Sequence, residues 1–339
     1  MKLSVVIPVY NGAATLPQCL DAAKAALPED SELVVVDDAS TDETPQILAR
    51  AGVRALRNPE NRGTSASRNR GWREARGELV AFVDADVVLK PEALRRMVAV
   101  LDAEPGLSGV NGVLSLDLRT PGLVSAFTNT SIHYQHLQHG QRVASAFTSI
   151  CLFRRSAIEA MGGWDERWFS RYADDVATRF SLPEGSIALE LGAQGEHLKA
   201  VPLLGLLKHR FNIGYFFVQS MRANRGVLKA RPKTAVLDRR FPLNTLSAAL
   251  AAAGLVAVVV YGPGAAWLLL VPVGVNIAAN AGLFRFTLKH RGLVEALACF
   301  PLSAIEGAGC FGGMTFCAIE SVRERLAPSP HSSLKRRPA

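Results

Sequence analysis

Toward its C-terminus the chain carries two long stretches without a single charge, and nothing constrains its fold more. Leu243 to Tyr261 is almost wholly apolar, and Ala265 to Phe284 is a second such run, interrupted only by Pro272, Asn276 and Asn280. Each is about 20 residues, long enough as a helix to cross a hydrocarbon core near ~30 Å. Neither shows the polar stripe of a helix packed in a soluble domain, so buried helices are disfavoured. The link, Gly262-Pro263-Gly264, is short and uncharged, whereas the flanks Arg239-Arg240 and Lys289-His290-Arg291 are basic. The positive-inside pattern predicts a transmembrane hairpin over 243–284 with both ends in the cytoplasm.

The neighbouring segments are less uniform. Leu293 to Ile319 is apolar but contains Glu295, Pro301 and Glu306, and a basic tail follows (Arg323, Arg325, Lys335, Arg336, Arg337). Charges are costly in lipid. A single crossing would also carry the tail outside, so the expectation for 285–322 is a re-entrant or interfacial segment. A third transmembrane helix with Gly309 and Gly313 as a close-packing face is the alternative. Residues 199–242, where Ala200 to Val218 mixes apolar residues with Lys208, His209 and Arg210, predict an interfacial juxtamembrane helix. The tail 323–339, rich in Pro and Ser, is expected to be disordered.

Residues 1–198 differ in kind. Leu3 to Val9 and Glu32 to Val36 are continuous β-branched runs, Val53 to Arg57 is a short one, and Leu79 to Val83 is again apolar. Helical patterns separate them at Thr15–Leu27, Ser40–Ala51 and Ala66–Ala75, and Pro91 opens another through Leu101. This βα alternation predicts an α/β domain with a mostly parallel sheet and helices on both faces. Ligands of such sheets bind beyond the carboxyl ends of the strands. Tyr10-Asn11, Asp37-Asp38 and Asp84-Ala85-Asp86 all fall there. No G-x-G-x-x-G follows the first strand, which disfavours a dinucleotide site.

Asp84 and Asp86, two apart beyond a strand, would face one side and repel unless a cation lay between them. Carboxylate and diphosphate oxygens together suit Mn²⁺ or Mg²⁺. Alone, each acidic pair also reads as a strand-end turn or helix cap. The formal net charge of +8 favours an anionic partner, and much of the excess flanks the apolar runs, which suits phospholipid headgroups better than nucleic acid. The five cysteines lack metal-ligand spacing and read as free thiols. No signal-peptide pattern precedes Leu3, so the N-terminal domain is expected on the cytoplasmic side of the cell (inner) membrane.

Taken together, these blocks carry a resemblance. Val5-Val6-Ile7-Pro8-Val9-Tyr10-Asn11-Gly12 and Val35-Val36-Asp37-Asp38-Ala39-Ser40-Thr41-Asp42 resemble the first two strands of family 2 glycosyltransferases. Ala66-Ser67-Arg68-Asn69-Arg70-Gly71 with Ala75 to Asp86 resembles its third block. Gly162-Gly163-Trp164-Asp165-Glu166 is similar to its G-G-[FW]-D-E block, and Asp174-Asp175 stands where the family usually has Glu-Asp. The resemblance implies a GT-A nucleotide-diphospho-sugar transferase fold and metal-dependent, inverting transfer from a nucleotide sugar.

Carried over by position, Asp38 would bond the donor base, with Pro8 and Tyr10 lining its pocket. Arg68 and Asn69 would meet the ribose or diphosphate, Asp84 the ribose or the metal's water, and Asp86 the metal. Asp175 would be the catalytic base, with Asp174 beside it reading the acceptor. Asp174 replaces the commoner Glu, which shortens its reach, and the arginine usual farther along is displaced, with Arg179 nearer. His197 would complete the metal site or remain an ordinary interfacial histidine. Trp164 would stack on an acceptor sugar or pack beneath the site, the acceptor role being favoured. Gln219-Ser220-Met221-Arg222 is similar to the Q-x-x-R-W block of processive polysaccharide synthases but lacks its Trp, which favours single transfer. A membrane-tied transferase implies a lipid or lipid-linked acceptor. A non-catalytic sugar-nucleotide-binding scaffold is the rival from another class.

Overall fold

The computed structural model describes residues 2–138, 140–143, 145–166, 178, 181–226 and 240–326. It divides into two compact units, 1–200 and 201–339.

The N-terminal unit is a mixed sheet between helices. In chain order its elements are β1 (Leu3–Val9), α1 (Leu16–Ala26), β2 (Ser31–Asp37), α2 (Thr44–Ala51), β3 (Arg54–Arg57), α3 (Thr64–Glu74), β4 (Leu79–Val83), β5 (Val87–Leu89) and α4 (Ala93–Ala103). There follow β6 (Gly109–Leu114), α5 (Leu123–Gln138), β7 (Arg142–Val143), β8 (Ile150–Arg154), α6 (Arg155–Ala160) and β9 (Ile187–His197). The strand order is β3-β2-β1-β4-β8-β6-β9-β5, with β7 against β9. The first four strands pair in parallel. Every residue of β1 and β4 is buried, because helices cover both faces. One apolar layer gathers Val5, Ile7, Leu16, Leu20 and Leu94, and the other gathers Val6, Phe82, Phe153 and Trp164.

β1 carries Pro8 within it and continues to Val9. The β4 ladder on one side stops at Val6, so beyond it only β2 borders β1 and a residue without an N–H is tolerated.

The C-terminal unit is helical: α7 (Leu203–Ala223), α8 (Arg240–Tyr261), a 3₁₀ turn (Pro263–Leu269), α9 (Leu270–Arg291) and α10 (Leu293–Leu326). Its polarity is inverted relative to the first unit. Leu255, Val259, Tyr261, Leu270 and Val294 are exposed, while Asn244, Ser247, Asn276, Asn280 and Ser303 are buried. Asn280 donates to Asn244 Oδ1 at 2.8 Å, and Ser247 donates to the Pro272 carbonyl at 2.8 Å. Polar groups inside and apolar ones outside are what a lipid solvent selects. Three helical stretches, Arg240–Tyr261, Pro263–Arg291 and Leu293–Arg323, are long and apolar enough to span a membrane.

Residues 285–291 complete α9, and α10 is one continuous helix of 34 residues with Pro301 inside it, its Glu306 neutralised by an ion pair with Arg210 of α7. α7 packs along α10 at its glycines. A Cβ added to Gly313 would lie 1.9 Å from the Phe211 carbonyl oxygen, and one on Gly309 would lie 2.8 Å from Arg210 Cβ. Tyr215 donates to Glu320 at 2.5 Å, and Arg222 donates to Ser321. Arg222 of the Gln219–Arg222 stretch is thus engaged with α10.

Candidate functional site

The parallel strands β2, β1 and β4 deliver their carboxyl ends to one edge, and there the polar blocks assemble. The loops after β1 and β2 are stapled to each other. Asn11, in the left-handed region at φ 50°, accepts the Thr41 N–H at 2.8 Å and donates its own N–H to Ser40 at 2.9 Å. Asp42 accepts the N–H groups of Ala13 and Thr44, each at 3.0 Å. Burial nudges the Asp42 carboxyl upward, but these bonds and the Thr44 hydroxyl outweigh it and hold the group below the usual aspartate value. Tyr10 stands at the rim, 36% exposed, and Pro8 is buried within β1.

Asp38 is buried and supports the loop after β3. It accepts from Asn58 at 2.7 Å and from the backbone N–H groups of Arg62 and Gly63 at 3.0 and 2.8 Å. Asn58 and this loop were missed in the sequence. A turn-forming Asn-Pro pair directly after β3 was the available signal.

The Asp84–Asp86 turn joins β4 to β5. Asp84 Oδ1 accepts from Arg68 at 2.9 Å; Arg68 itself is buried, its guanidinium carbon 5.1 Å from the Trp164 ring centre. Long-range pairing brings His197 alongside. β5 runs antiparallel to β9 with Val87 opposite His197, and the Leu198 N–H donates to the Asp86 carbonyl at 2.8 Å. His197 Nε2 then lies 3.4 Å from Asp86 Oδ2. Burial pushes the Asp86 carboxyl up, but the His197 imidazole beside it and the Lys199 charge hold it below the usual aspartate value. Beneath the turn, the Cys19 thiol is buried and pushed up to about 12, first by burial and then by the Asp86 charge.

Carboxylate oxygens and an imidazole nitrogen form a donor set that suits Mn²⁺ or Mg²⁺. No three His, Cys, Asp or Glu side chains among the described residues group closely enough to hold a metal unaided. The set therefore fits an ion whose remaining ligands come from a bound molecule.

Two of the expected site residues are engaged within the protein itself. The Asn69 amide, which the resemblance assigns to the ribose or diphosphate, is bonded to the chain. Its Oδ1 accepts from the Trp164 N–H at 2.8 Å and from Trp72 Nε1 at 3.0 Å, and its Nδ2 donates to the Trp164 carbonyl at 2.8 Å and to Glu166 at 2.6 Å. Those four bonds fill the capacity of an amide side chain. Trp164, expected to stack on an acceptor sugar or to pack beneath the site, packs in the apolar layer. It is 3% exposed, edge-on to Phe82 and Phe153 at 5.1 and 6.2 Å, and lies beneath Arg68. Asp174, Asp175 and Arg179 lie outside the described residues.

The family model described as "Glycosyl transferase family 2" matches residues 4–162. The chain is 33% identical over 208 residues to an undecaprenyl-phosphate 4-deoxy-4-formamido-L-arabinose transferase of Pseudomonas fluorescens, covering 58% of each. It is 37% identical over 123 residues to the succinoglycan biosynthesis protein ExoO of Rhizobium meliloti, covering 35% of each. It thus spans between 35% and 58% of the length of these relatives. Its structure is similar to that of the mannosyltransferase PcManGT from Pyrobaculum calidifontis in complex with GDP-Man and Mn²⁺. The TM-score is 0.52 and the identity 18%, over 97% of this chain and 88% of that one. At that identity the likeness is one of fold.

Proposed function

We propose, from the family-model match over residues 4–162, that the chain is a family 2 glycosyltransferase that transfers a sugar, with inversion, from a nucleotide-diphosphate donor to a lipid or lipid-linked acceptor at the membrane. The observation that carries this reading is His197 set against Asp86 at the mouth of β4, within one turn of the Arg68–Asp84 pair.

The stapled loops after β1 and β2, with Tyr10 at the rim, form the floor on which a nucleotide base would rest. Asp38 shapes that floor by fixing the 58–63 loop. Asp86 and His197 would hold Mn²⁺ or Mg²⁺, which supplies neutralisation of the charge left on a departing diphosphate. Arg68 orients Asp84 through its 2.9 Å ion pair, so that the turn is preorganised before the donor arrives. Asp175 is proposed as the base that takes the acceptor hydroxyl proton, with Asp174 beside it. Direct attack from the face opposite the diphosphate inverts the anomeric centre and needs no covalent enzyme intermediate.

The acceptor class rests on the helical unit and on the name of the Pseudomonas relative. By the positive-inside pattern the catalytic unit faces the cytoplasm. The test is sugar transfer to farnesyl phosphate by the purified full chain with Mn²⁺, across a panel of nucleotide sugars. Product formation that disappears in Asp86→Ala supports the proposal. Donor turnover that is equal in both proteins, without glycosylated lipid, would instead favour a scaffold.

A further inference from the structure

We propose that Asn69 is a positioning residue that locks the turn before the acceptor-side segment onto the donor-side helix, and does not bind donor itself. This rests on the transferase reading only for its kinetic consequence. The observation is the saturated amide of Asn69, which ties α3 to both backbone groups of Trp164 and to the Glu166 carboxylate, across 95 and 97 residues of chain.

The turn is built to receive that amide. Gly162 and Gly163 sit at φ 75° and 83°, where an L side chain is strained, and a Cβ on Gly163 would lie 2.5 Å from Asn69 Oδ1. Trp72, one turn along α3, fixes the amide orientation by donating to Oδ1 at 3.0 Å. Arg62 and Arg73 stand 3.3 and 3.9 Å from Glu166 and neutralise it. The preceding residue on α3, Arg68, holds Asp84 and covers the Trp164 ring. One dipeptide therefore couples the Asp84–Asp86 turn to the Gly162–Glu166 turn. The latter leads directly into the stretch containing Asp174 and Asp175.

Asn69→Asp keeps the shape but turns the two donated bonds, to the Trp164 carbonyl and to Glu166, into repulsions. Gly163→Ala attacks the same joint from the other side. Each variant is measured in the full chain for donor affinity by calorimetry and for kcat, using the nucleotide sugar that the wild type turns over. Donor affinity is expected to stay within about twofold, while kcat falls roughly ten- to hundredfold, the scale on which a small misplacement of reacting groups acts. Glu166→Gln in the Asn69→Asp background restores one donor to the joint and is expected to recover part of kcat.

A parallel loss of donor affinity would overturn the proposal and make Asn69 a donor ligand; unchanged kcat in both variants would overturn it as well. A second arm needs no turnover. In Asn69→Ala, amide hydrogen exchange across 162–166 is expected to accelerate by roughly tenfold or more, as for local opening of an unclamped turn. Wild-type exchange there would overturn the clamp even if the chain transferred no sugar at all. Absence of turnover with faster exchange would leave the clamp standing and remove the transferase reading.

Discussion

At the residue scale, the site depends on a short polar turn whose charges are held in place before any ligand arrives. Asp86 stays ionised because His197 and Lys199 outweigh its burial. Replacing either Asp86 or His197 by Ala is therefore expected to cut metal-dependent transfer by about 10²-fold or more, the cost of losing one preorganised electrostatic group, as read from initial rates over a Mn²⁺ titration. Arg68→Lys should also be costly, since an ammonium keeps the charge but not the planar stack over Trp164.

A second carboxylate reports on stability alone. Glu32 is raised by burial but lowered further by the Ser4 hydroxyl, the Arg76 N–H and Arg54, so that its folded value lies below the usual one. A depressed carboxylate stabilises the fold above its unfolded pKa, about 4.3, and loses that contribution as pH falls through the folded value. Glu32→Gln should lower Tm at pH 7 by a few degrees, reflecting about 1–2 kcal/mol for charged hydrogen bonds. Thermal melts of both proteins should converge toward acid pH.

At the element scale, local pattern and long-range pairing contribute differently. β1, β2 and β4 were legible because both faces are buried and each apolar run stops at a polar block, Tyr10-Asn11, Asp37-Asp38 or Asp84-Ala85-Asp86. The sheet's mixed half was not, since β8, β6, β9 and β5 take their places through antiparallel and crossover pairing that no local periodicity encodes. The position of His197 depends on that pairing, which is why its role stayed open in the sequence. Asn69 and Trp164 were found as members of motifs, but a motif does not reveal whether an amide is already saturated or a ring already enclosed.

The α7–α10 contact makes an equally local prediction. Any side chain on Gly313 meets backbone atoms of Phe211 and Tyr215, which cannot rotate away, whereas a Cβ on Gly274 meets nothing within 4 Å. Gly313→Val is expected to lower the Tm of the detergent-solubilised chain by several degrees, in keeping with overpacking costs of about 1–3 kcal/mol. Gly274→Ala should leave it unchanged or raise it slightly. Equal effects of the two substitutions would mean that the helices do not meet at their glycines.

At the scale of the whole molecule, the chain joins two units that answer to different solvents. The first buries aliphatic layers and leaves its carboxylates at a sheet edge; the second buries asparagines and exposes leucines. The five cysteines are all buried, so a single cysteine introduced at Gly264 offers a clean probe of orientation. It is expected to react with an impermeant thiol reagent applied outside intact cells, and one introduced at Ala13 to react only after lysis.

The proposed transfer depends on a divalent ion shared between the Asp86–His197 pair and a sugar diphosphate. The most direct measurement is the thermal shift of the full chain against nucleotide sugars with and without Mn²⁺, repeated on Asp86→Ala. At saturating ligand a specific donor should raise Tm only when Mn²⁺ is present, and the substitution should abolish that rise. A donor-induced shift of equal size without the metal, or one that survives the loss of Asp86, would contradict it.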